Sequence, residues 1–245
     1  MFDRIGKRSV LTPNGKKFLP HAERILHEMT AFRADMSHQQ DQPSGVLKLA
    51  TSHHIGLHRL PQVLRDFKIE YPQVDLDLHF MDSEDACIAV ANNELELAVV
   101  TLPENPDARL VLEPVWMDVL QVVMAVDHPL AQADDLDPNL LMTYPAILPS
   151  IGTFTRKIIN NFFASRKEGL KIILETNYLE TIKVMVAANL GWSVLPVSMI
   201  DRSLLGRQLE GFDIQRPLGM VTRRNRTLSL SSKAMVSALR KASGD

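Results

Sequence analysis

The segment VLKLATSHHIGLHRLPQVLRDFKIEYPQVDLDLHF, residues 46–80, indicates the fold class of this chain. It opens with a short apolar run at 46–51 that is typical of a buried strand. It closes with residues 74–80, which alternate between apolar and polar side chains at the two-residue period of a half-buried strand. A helical pattern separates the two. A strand, a helix and a second strand in this order predict a βαβ unit and hence a parallel sheet.

The helix inside this segment has a predictable start. Leu60, Val63, Leu64 and Phe67 have the spacing of one helix face. Because proline is tolerated in the first turn of a helix and breaks its interior, Pro61 places the start at 58–60. We therefore expect residues 52–57 to form a turn or an irregular first turn. This turn follows the carboxyl end of a strand, where open α/β sheets bind their ligands.

The same alternation of strands and helices continues along the chain. Residues 95–101 form a nearly continuous apolar strand, as expected for a strand buried on both faces. Two such series favour two small α/β lobes with mainly parallel sheets, with ligand binding in the cleft between them. The further predicted strands are 119–126, 171–176 and 192–196, and the further predicted helices are 153–164 and 179–189.

Composition places the chain among ordinary globular proteins. It has 245 residues, 45% of them hydrophobic and 23% charged, with a formal net charge of -2. This balance does not favour nucleic-acid or membrane binding by the field of the whole molecule. The single cysteine, Cys87, excludes an intramolecular disulfide framework and favours a reducing compartment. Without a signal-peptide pattern or a long apolar run, the sequence predicts a cytoplasmic protein.

A long N-terminal helix is predicted to begin at Pro13, with Thr12 as its cap. Its apolar residues follow steps of four and three, the repeat of a coiled-coil seam. Two interpretations stay open: the helix packs on its own domain, or it pairs with a second helix in a dimer. A polar stretch with proline and glycine at 39–45 then predicts a linker and a domain boundary. The seam residues are Phe18, Ala22, Ile25, Met29, Phe32 and Met36.

Several separated motifs resemble those of LysR-type transcriptional regulators over essentially the whole chain. Phe2-Asp3-Arg4 with residues 11–15 resembles the wing and the start of the linker helix, and the helix past Ile25 and Leu26 resembles the dimerisation helix. Residues 60–67 with Tyr71-Pro72 resemble the first helix of the effector domain. The remaining two motifs are Asp127-His128-Pro129-Leu130-Ala131 and Gly191-Trp192-Ser193-Val194-Leu195-Pro196.

The resemblance implies a two-lobed, periplasmic-binding-protein-like (type 2) α/β effector domain with an N-terminal linker helix. Residues 1–45 would be the remnant of a winged helix-turn-helix plus the dimerisation helix, 46–120 with 221–245 the first lobe, and 121–220 the second. Two strands would cross between the lobes, near 119–126 and 219–222. About 50 residues that carry the family's recognition helix would be missing, so this chain would not read bases alone.

The resemblance also implies a function and its partners. The chain would sense a small, anionic metabolite between its lobes and control DNA binding through the missing N-terminal domain. It would act as a homodimer or a tetramer, without a cofactor or a catalytic activity. Lys7, Arg8, Lys16 and Lys17 would lie beside the DNA backbone. The alternative from another class is a stand-alone solute-binding protein with no role on DNA.

Polar residues at strand ends are the candidate effector ligands, because hydroxyl groups and backbone N–H groups near a helix start bind carboxylates. Ser52 is the best single candidate. The alternative for each residue is ordinary capping of a helix, which the same residue types favour. The candidates are Thr51, Ser52, His53, His54, Ser83, Thr101, Ser150, Gly152, Thr153, Thr176 and Asn177.

Three histidines and a basic cluster have less specific patterns. His54 and His58 are four residues apart, but no acidic residue accompanies them locally, so hydrogen bonding to an anionic effector is favoured over metal binding. The run at 223–226 is interpreted as a solvated basic surface. The chain contains no G-x-S-x-G elbow, phosphate loop or dinucleotide turn, so an enzyme is disfavoured.

Overall fold

The predicted βαβ unit is present in the computed structural model, which describes residues 1–5, 8–36, 42–164, 169–209 and 211–244. Strand β3 (Gly45–Thr51) pairs in parallel with β4 (Val74–Phe80) and β5 (Leu97–Thr101). Their apolar side chains pack on both faces of the sheet. Helices α3 (Leu60–Glu70) and α8 (Leu230–Lys241) cover one face, and α4 (Ser83–Ala91) covers the other. These elements form the first lobe.

The segment between β3 and α3 differs from the prediction. Residues 53–58 form a short helix, α2 (His53–His58), where a turn or irregular turn was expected. Arg59, with φ of -114° and ψ of -42°, interrupts the helical path, and α3 begins afresh at Leu60. Pro61 therefore lies in the first turn of α3, where its missing N–H group costs no helical hydrogen bond. Two helices thus share the region in which the sequence predicted one.

Two long strands connect the lobes. Strand β6 (Leu110–Ala125) pairs with β11 (Gln215–Arg223) along its first part, up to Val119. From Leu120 onward β6 pairs with β9 (Ser193–Pro196), and near its end with β10 (Leu204–Arg207). In the first lobe, residues 218–222 of β11 pair antiparallel with β5. The predicted boundary at 220/221 falls inside β11, and Leu218 and Met220 pack in the core of the first lobe.

The second lobe is built around a short parallel pair, β7 (Ala146–Leu148) with β8 (Ile172–Glu175). Trp192, from one of the motifs noted above, is fully buried in its core, and its Nε1 donates a hydrogen bond to the Leu141 carbonyl at 2.9 Å. This bond satisfies the polar end of the indole in an apolar interior. The helices of this lobe are α5 (Pro138–Thr143), α6 (Phe154–Phe163) and α7 (Leu179–Ala187).

The N-terminal region forms a hairpin, β1 (Phe2–Ile5) with β2 (Arg8–Leu11), followed by α1 (Pro13–Met36). The predicted cap is confirmed, because Thr12 Oγ1 accepts a hydrogen bond from the Gly15 N–H at 3.0 Å. Phe18, Ile25 and Met29 of the seam are exposed, Ala22 is half-buried, and the side chains of Phe32 and Met36 lie outside the described residues. Among the described helices, α1 included, none is long and apolar enough to cross a bilayer.

Candidate functional site

A cleft of about 300 Å³ lies between the two lobes. Its walls come from the carboxyl ends of β3, β4 and β5 in the first lobe and from the segments before α6 and α7 in the second. This is the position at which parallel sheets bind ligands. The residues that line it are Ser52, His53, His54, Phe80, Met81, Asp82, Ser83, Glu84, Asp85, Thr101, Pro149, Thr153, Phe154, Thr155, Asn177, Tyr178, Leu179 and Arg216.

Seven of the eleven predicted ligand positions line this cleft: Ser52, His53, His54, Ser83, Thr101, Thr153 and Asn177. The other four do not. Thr51 is fully buried and its Oγ1 donates to the Val99 carbonyl at 2.9 Å, so it joins two strands inside the sheet. Thr176 Oγ1 accepts from the Tyr178 N–H at 3.4 Å and so helps to shape the turn before α7. Ser150 and Gly152 form the turn that precedes α6.

The polar residues that line the cleft from the first lobe differ in the hydrogen bonds that they make within the protein. Ser52 precedes α2, but its hydroxyl makes no capping hydrogen bond to that helix. Ser83 Oγ accepts a hydrogen bond from the Thr101 N–H at 3.1 Å, and both residues are buried. Capping therefore does not account for Ser52, whose hydroxyl group lines the cleft.

In the second lobe, the loop before α6 is held by side-chain hydrogen bonds. Thr153 Oγ1 donates to the Ser150 carbonyl and accepts from the Arg156 N–H, so it does cap α6. Asn177 Oδ1 accepts from the Ser150 N–H at 2.9 Å. The Asn177 Nδ2 group also donates to Asp82 Oδ2 at 2.6 Å, which joins the two lobes across the cleft. Asn177 thus both shapes one wall and contacts the other.

A second contact between the lobes places a carboxylate at the start of a helix. Glu84 of α4 accepts a hydrogen bond from the Phe154 N–H, the first residue of α6. A helix N-terminus favours negative charge, because its N–H groups are unpaired within the helix. Burial raises the pKa of the Glu84 carboxyl, and the bond to Phe154 opposes this shift only in part. The sequence analysis did not select Glu84, although it directly follows the candidate Ser83.

Beneath the cleft lies a buried ion cluster centred on Asp118 of β6. Arg216 Nη2 donates to Asp118 Oδ2 at 2.7 Å, and Arg59 Nη2 donates to Asp118 Oδ1 at 2.9 Å. The Arg216 Nη1 group also donates to Thr155 Oγ1 at 3.1 Å. Burial alone would raise the pKa of Asp118, but His54 and the two guanidinium groups together lower it well below its usual range. The cluster holds Arg216 at the cleft wall.

Histidines and a glutamate from opposite lobes meet at one edge of the cleft. His58 Nε2 lies 2.8 Å from Glu180 Oε1 of α7, and His54 Nδ1 lies 3.7 Å from the same oxygen. His53 Nδ1 lies 3.7 Å from Glu180 Oε2. Burial raises the pKa of Glu180, but its own backbone N–H and the neighbouring His58 and His54 outweigh burial and lower it overall. The acidic residue absent from the local sequence is therefore supplied by the second lobe.

The predicted DNA-backbone residues all precede the cleft residues in the sequence. Lys16 and Lys17 are exposed on the first turns of α1. Arg8 belongs to β2, but its side chain lies outside the described part of the chain, as does the whole of Lys7. In the basic run near the C-terminus, Arg226 Nη1 donates to the Leu95 carbonyl at 2.9 Å, a structural contact.

Comparison with known proteins agrees with this architecture. The model of the LysR substrate binding domain matches residues 40–244. The chain is 31% identical over 250 residues to a RuBisCO operon transcriptional regulator of Acidithiobacillus ferrooxidans, covering 100% of this chain and 80% of that protein. It is 27% identical to a probable RuBisCO transcriptional regulator of Synechocystis sp., covering 96% and 71%.

Two solved structures show the same fold. The cofactor-binding domain of the Cbl transcriptional regulator has a TM-score of 0.73 at 22% identity, covering 84% of this chain and 92% of that one. The regulatory domain of CcmR from Synechocystis PCC6803, solved in complex with 2-PG, has a TM-score of 0.73 at 26% identity, covering 82% and 99%.

Proposed function

Because the chain belongs to the LysR family of transcriptional regulators, we propose that it senses a small anionic metabolite in the cleft between its lobes and thereby controls transcription. The observation that carries this proposal is the composition of the cleft, whose walls are contributed by both lobes. A ligand that binds both walls shifts the relative orientation of the lobes, and two strands, β6 and β11, allow such hinge motion.

Three features of the cleft support an anionic effector. The N-terminus of α6 already donates a hydrogen bond to a carboxylate, that of Glu84. The Ser52 hydroxyl and the His53 ring provide hydrogen-bonding groups on the facing wall, and the guanidinium group of Arg216, which is paired with Asp118, also lines the cleft. A carboxylate or phosphate of the effector would compete with Glu84 for the helix start. The CcmR regulatory domain, which is similar in fold and sequence, was solved in complex with 2-PG, which supports a small ligand for this chain.

A calorimetric titration tests the proposal. We expect the purified chain to bind one ligand per cleft from a panel that contains 2-PG, inorganic phosphate and short mono- and dicarboxylates. Ser52→Ala should weaken the binding of that ligand about tenfold, because a hydrogen bond to a charged group is lost. The thermal stability of the variant should be unchanged, since the hydroxyl makes no cap to α2.

The matched control is Ser203→Ala, which removes a hydroxyl that contacts Asp201 on the surface of the second lobe. This variant should bind the ligand as the wild type does. Equal affinities for the wild type and Ser52→Ala would exclude Ser52 from the site. Failure of every anion in the panel to bind would contradict an anionic effector.

The proposal extends to the partners of the chain. A regulator of this family acts on DNA, and here Lys16 and Lys17 would contribute contacts to the phosphate backbone. The exposed seam residues Phe18, Ile25 and Met29 support pairing of two α1 helices in a homodimer. Within this function the chain catalyses no reaction and needs no cofactor for transcriptional control, because the signal is the conformational change itself.

A further inference from the structure

We propose that His54, His58 and Glu180 form a binding site for a divalent transition-metal ion of the zinc type, which links the two lobes. The nitrogen and oxygen atoms that these residues offer all lie within 4.8 Å of one another. The two histidines come from α2 in the first lobe and the glutamate from α7 in the second. A metal bound here would therefore hold the cleft closed at one edge. The site shares His54 with the wall of the cleft, but metal binding does not require the effector.

The first argument is the unpaired polar atoms at this edge. Within the described part of the chain, His54 Nδ1, His53 Nδ1 and Glu180 Oε2 are buried and have no hydrogen-bond partner. Only 5% of the His54 side chain is exposed. Buried polar groups are nearly always paired, because an unpaired one costs about 1–3 kcal/mol. Of these atoms, His54 Nδ1 is the one that faces the other two ligands, and a metal cation bound there would give it a partner.

The second argument is the separation of the candidate ligand atoms. Zinc binds imidazole nitrogen and carboxylate oxygen at about 2.0–2.2 Å in tetrahedral geometry, which places two ligand atoms about 3.3–3.5 Å apart. Glu180 Oε1 lies 3.7 Å from His54 Nδ1 and 2.8 Å from His58 Nε2. To bind the metal, the Glu180–His54 separation must shorten and the Glu180–His58 separation must lengthen, each by about half an ångström. Rotation of the side chains can supply such a change.

The third argument is the Asp118 carboxylate, which lies next to the second ring nitrogen of the proposed ligand His54. His54 would bind the metal through Nδ1, and its Nε2 lies 3.5 Å from the buried Asp118 carboxylate. Metal-binding histidines almost always donate the second ring N–H to a carboxylate or carbonyl, which sets the tautomer and the ring orientation. Asp118 is itself held by Arg59 and Arg216. Among the described residues His54 Nε2 makes no hydrogen bond, and the Asp118 carboxylate is the acceptor towards which a metal-bound imidazole would direct this N–H group.

The donor set determines the class of ion. Two imidazoles and one carboxylate suit zinc, copper or nickel, whereas magnesium and calcium prefer oxygen ligands alone. Three protein ligands leave a fourth position for water or for an anion. Because His54 also lines the cleft, an ion here would lie next to the effector site. Metal binding would then favour the closed arrangement of the lobes.

Equilibrium dialysis against Zn²⁺ alone tests this proposal. The protein is used without an affinity tag of histidines, stripped of metal by chelation, and dialysed without any effector. We expect one zinc ion per chain at free zinc concentrations in the micromolar range. His58→Gln and Glu180→Gln should each weaken binding at least tenfold, because each removes one of three ligands. Both side chains are partly exposed, so both variants should fold.

The matched control is His79→Gln. His79 Nε2 lies 3.2 Å from Asp77 Oδ2, so this variant also removes a histidine paired with a carboxylate. Among the residues that the structure describes, no third metal ligand accompanies this pair. The variant should bind zinc as the wild type does. No binding up to about 100 μM zinc, or equal binding by the wild type and the His58 and Glu180 variants, would overturn the proposal. Because no effector is present, neither result depends on the proposed sensing function.

Discussion

At the scale of single residues, Asp118 has the largest predicted effect on stability. Its side chain is 1% exposed and contacts Arg216, Arg59 and His54, which belong to separate elements. Removing one member of a buried ion cluster leaves the others charged and without compensation. Arg216 is itself 4% exposed, so its guanidinium would be left buried with one hydrogen bond, to Thr155.

Asp118→Asn should therefore lower the free energy of unfolding by about 3–5 kcal/mol, measured by urea denaturation at pH 7. The folded state lowers the pKa of Asp118, so its contribution is present above the ordinary value of 3.8 and is lost as the pH falls below it. The wild type should lose this stability on acidification and the variant should not.

Asp75→Asn is the control for this measurement, because Asp75 is 83% exposed and lies 3.8 Å from Lys68. Its free energy of unfolding should stay within about 0.5 kcal/mol of the wild type. If Asp118→Asn were equally mild, the cluster would not be a source of stability.

At the scale of elements, α1 is the helix with the most exposed apolar surface along one side. Phe18, Ile25 and Met29 follow the spacing of a coiled-coil seam and are each about half exposed. About half of each side chain is therefore accessible to a second helix. One contact of α1 with the first lobe is polar: Glu28 Oε1 lies 3.9 Å from Arg226 Nη2.

Met29→Glu should weaken dimers at least about 100-fold, because two carboxylates would be buried in the apolar seam of each dimer. Sedimentation equilibrium over a range of protein concentrations measures this change. Arg24→Glu introduces the same side chain on α1 outside the seam spacing and should leave the dimer intact. An unchanged sedimentation mass for Met29→Glu would reject the seam as the dimer interface.

At the scale of the whole molecule, contacts across the cleft determine how far the lobes close. The hydrogen bond from Asn177 to Asp82 and the contact of Glu84 with the α6 N-terminus both join the lobes. These two contacts cross the cleft itself, whereas β6 and β11 are the backbone connections between the lobes. If the lobes open and close in equilibrium, as proposed, these polar contacts are ones that an effector would strengthen or replace.

Asn177→Ala should shift this equilibrium towards the open form. Losing the bond to Asp82 costs about 1 kcal/mol, which lowers the ratio of closed to open molecules about fivefold. Small-angle X-ray scattering should then give a larger radius of gyration in the absence of effector. Asn92→Ala, which removes an exposed amide on the first lobe, should leave the radius unchanged. A radius unchanged by Asn177→Ala would contradict a role for this bond in closure.

The sequence alone determined the fold class, because hydrophobic periodicity reports locally on which face of each element is buried. The strand at 46–51, the cap at Thr12 and the parallel β3–β4 pair were all predictable from neighbours along the chain. The start of α3 at Leu60 agrees with the prediction from Pro61, but the separate helix α2 before it was not predicted.

Only the tertiary structure decided which side chains meet in the cleft. Glu180 lies 122 residues from His58, and Arg216 lies 98 residues from Asp118. His58 and Glu180 meet because the two lobes face each other, and Arg216 and Asp118 meet because β11 pairs with β6 in this register. Periodicity along one element carries no information about either pairing. For this reason the sequence predicted the polar residues at strand ends, but it did not predict that Glu84, Glu180 and Arg216 also belong to the site.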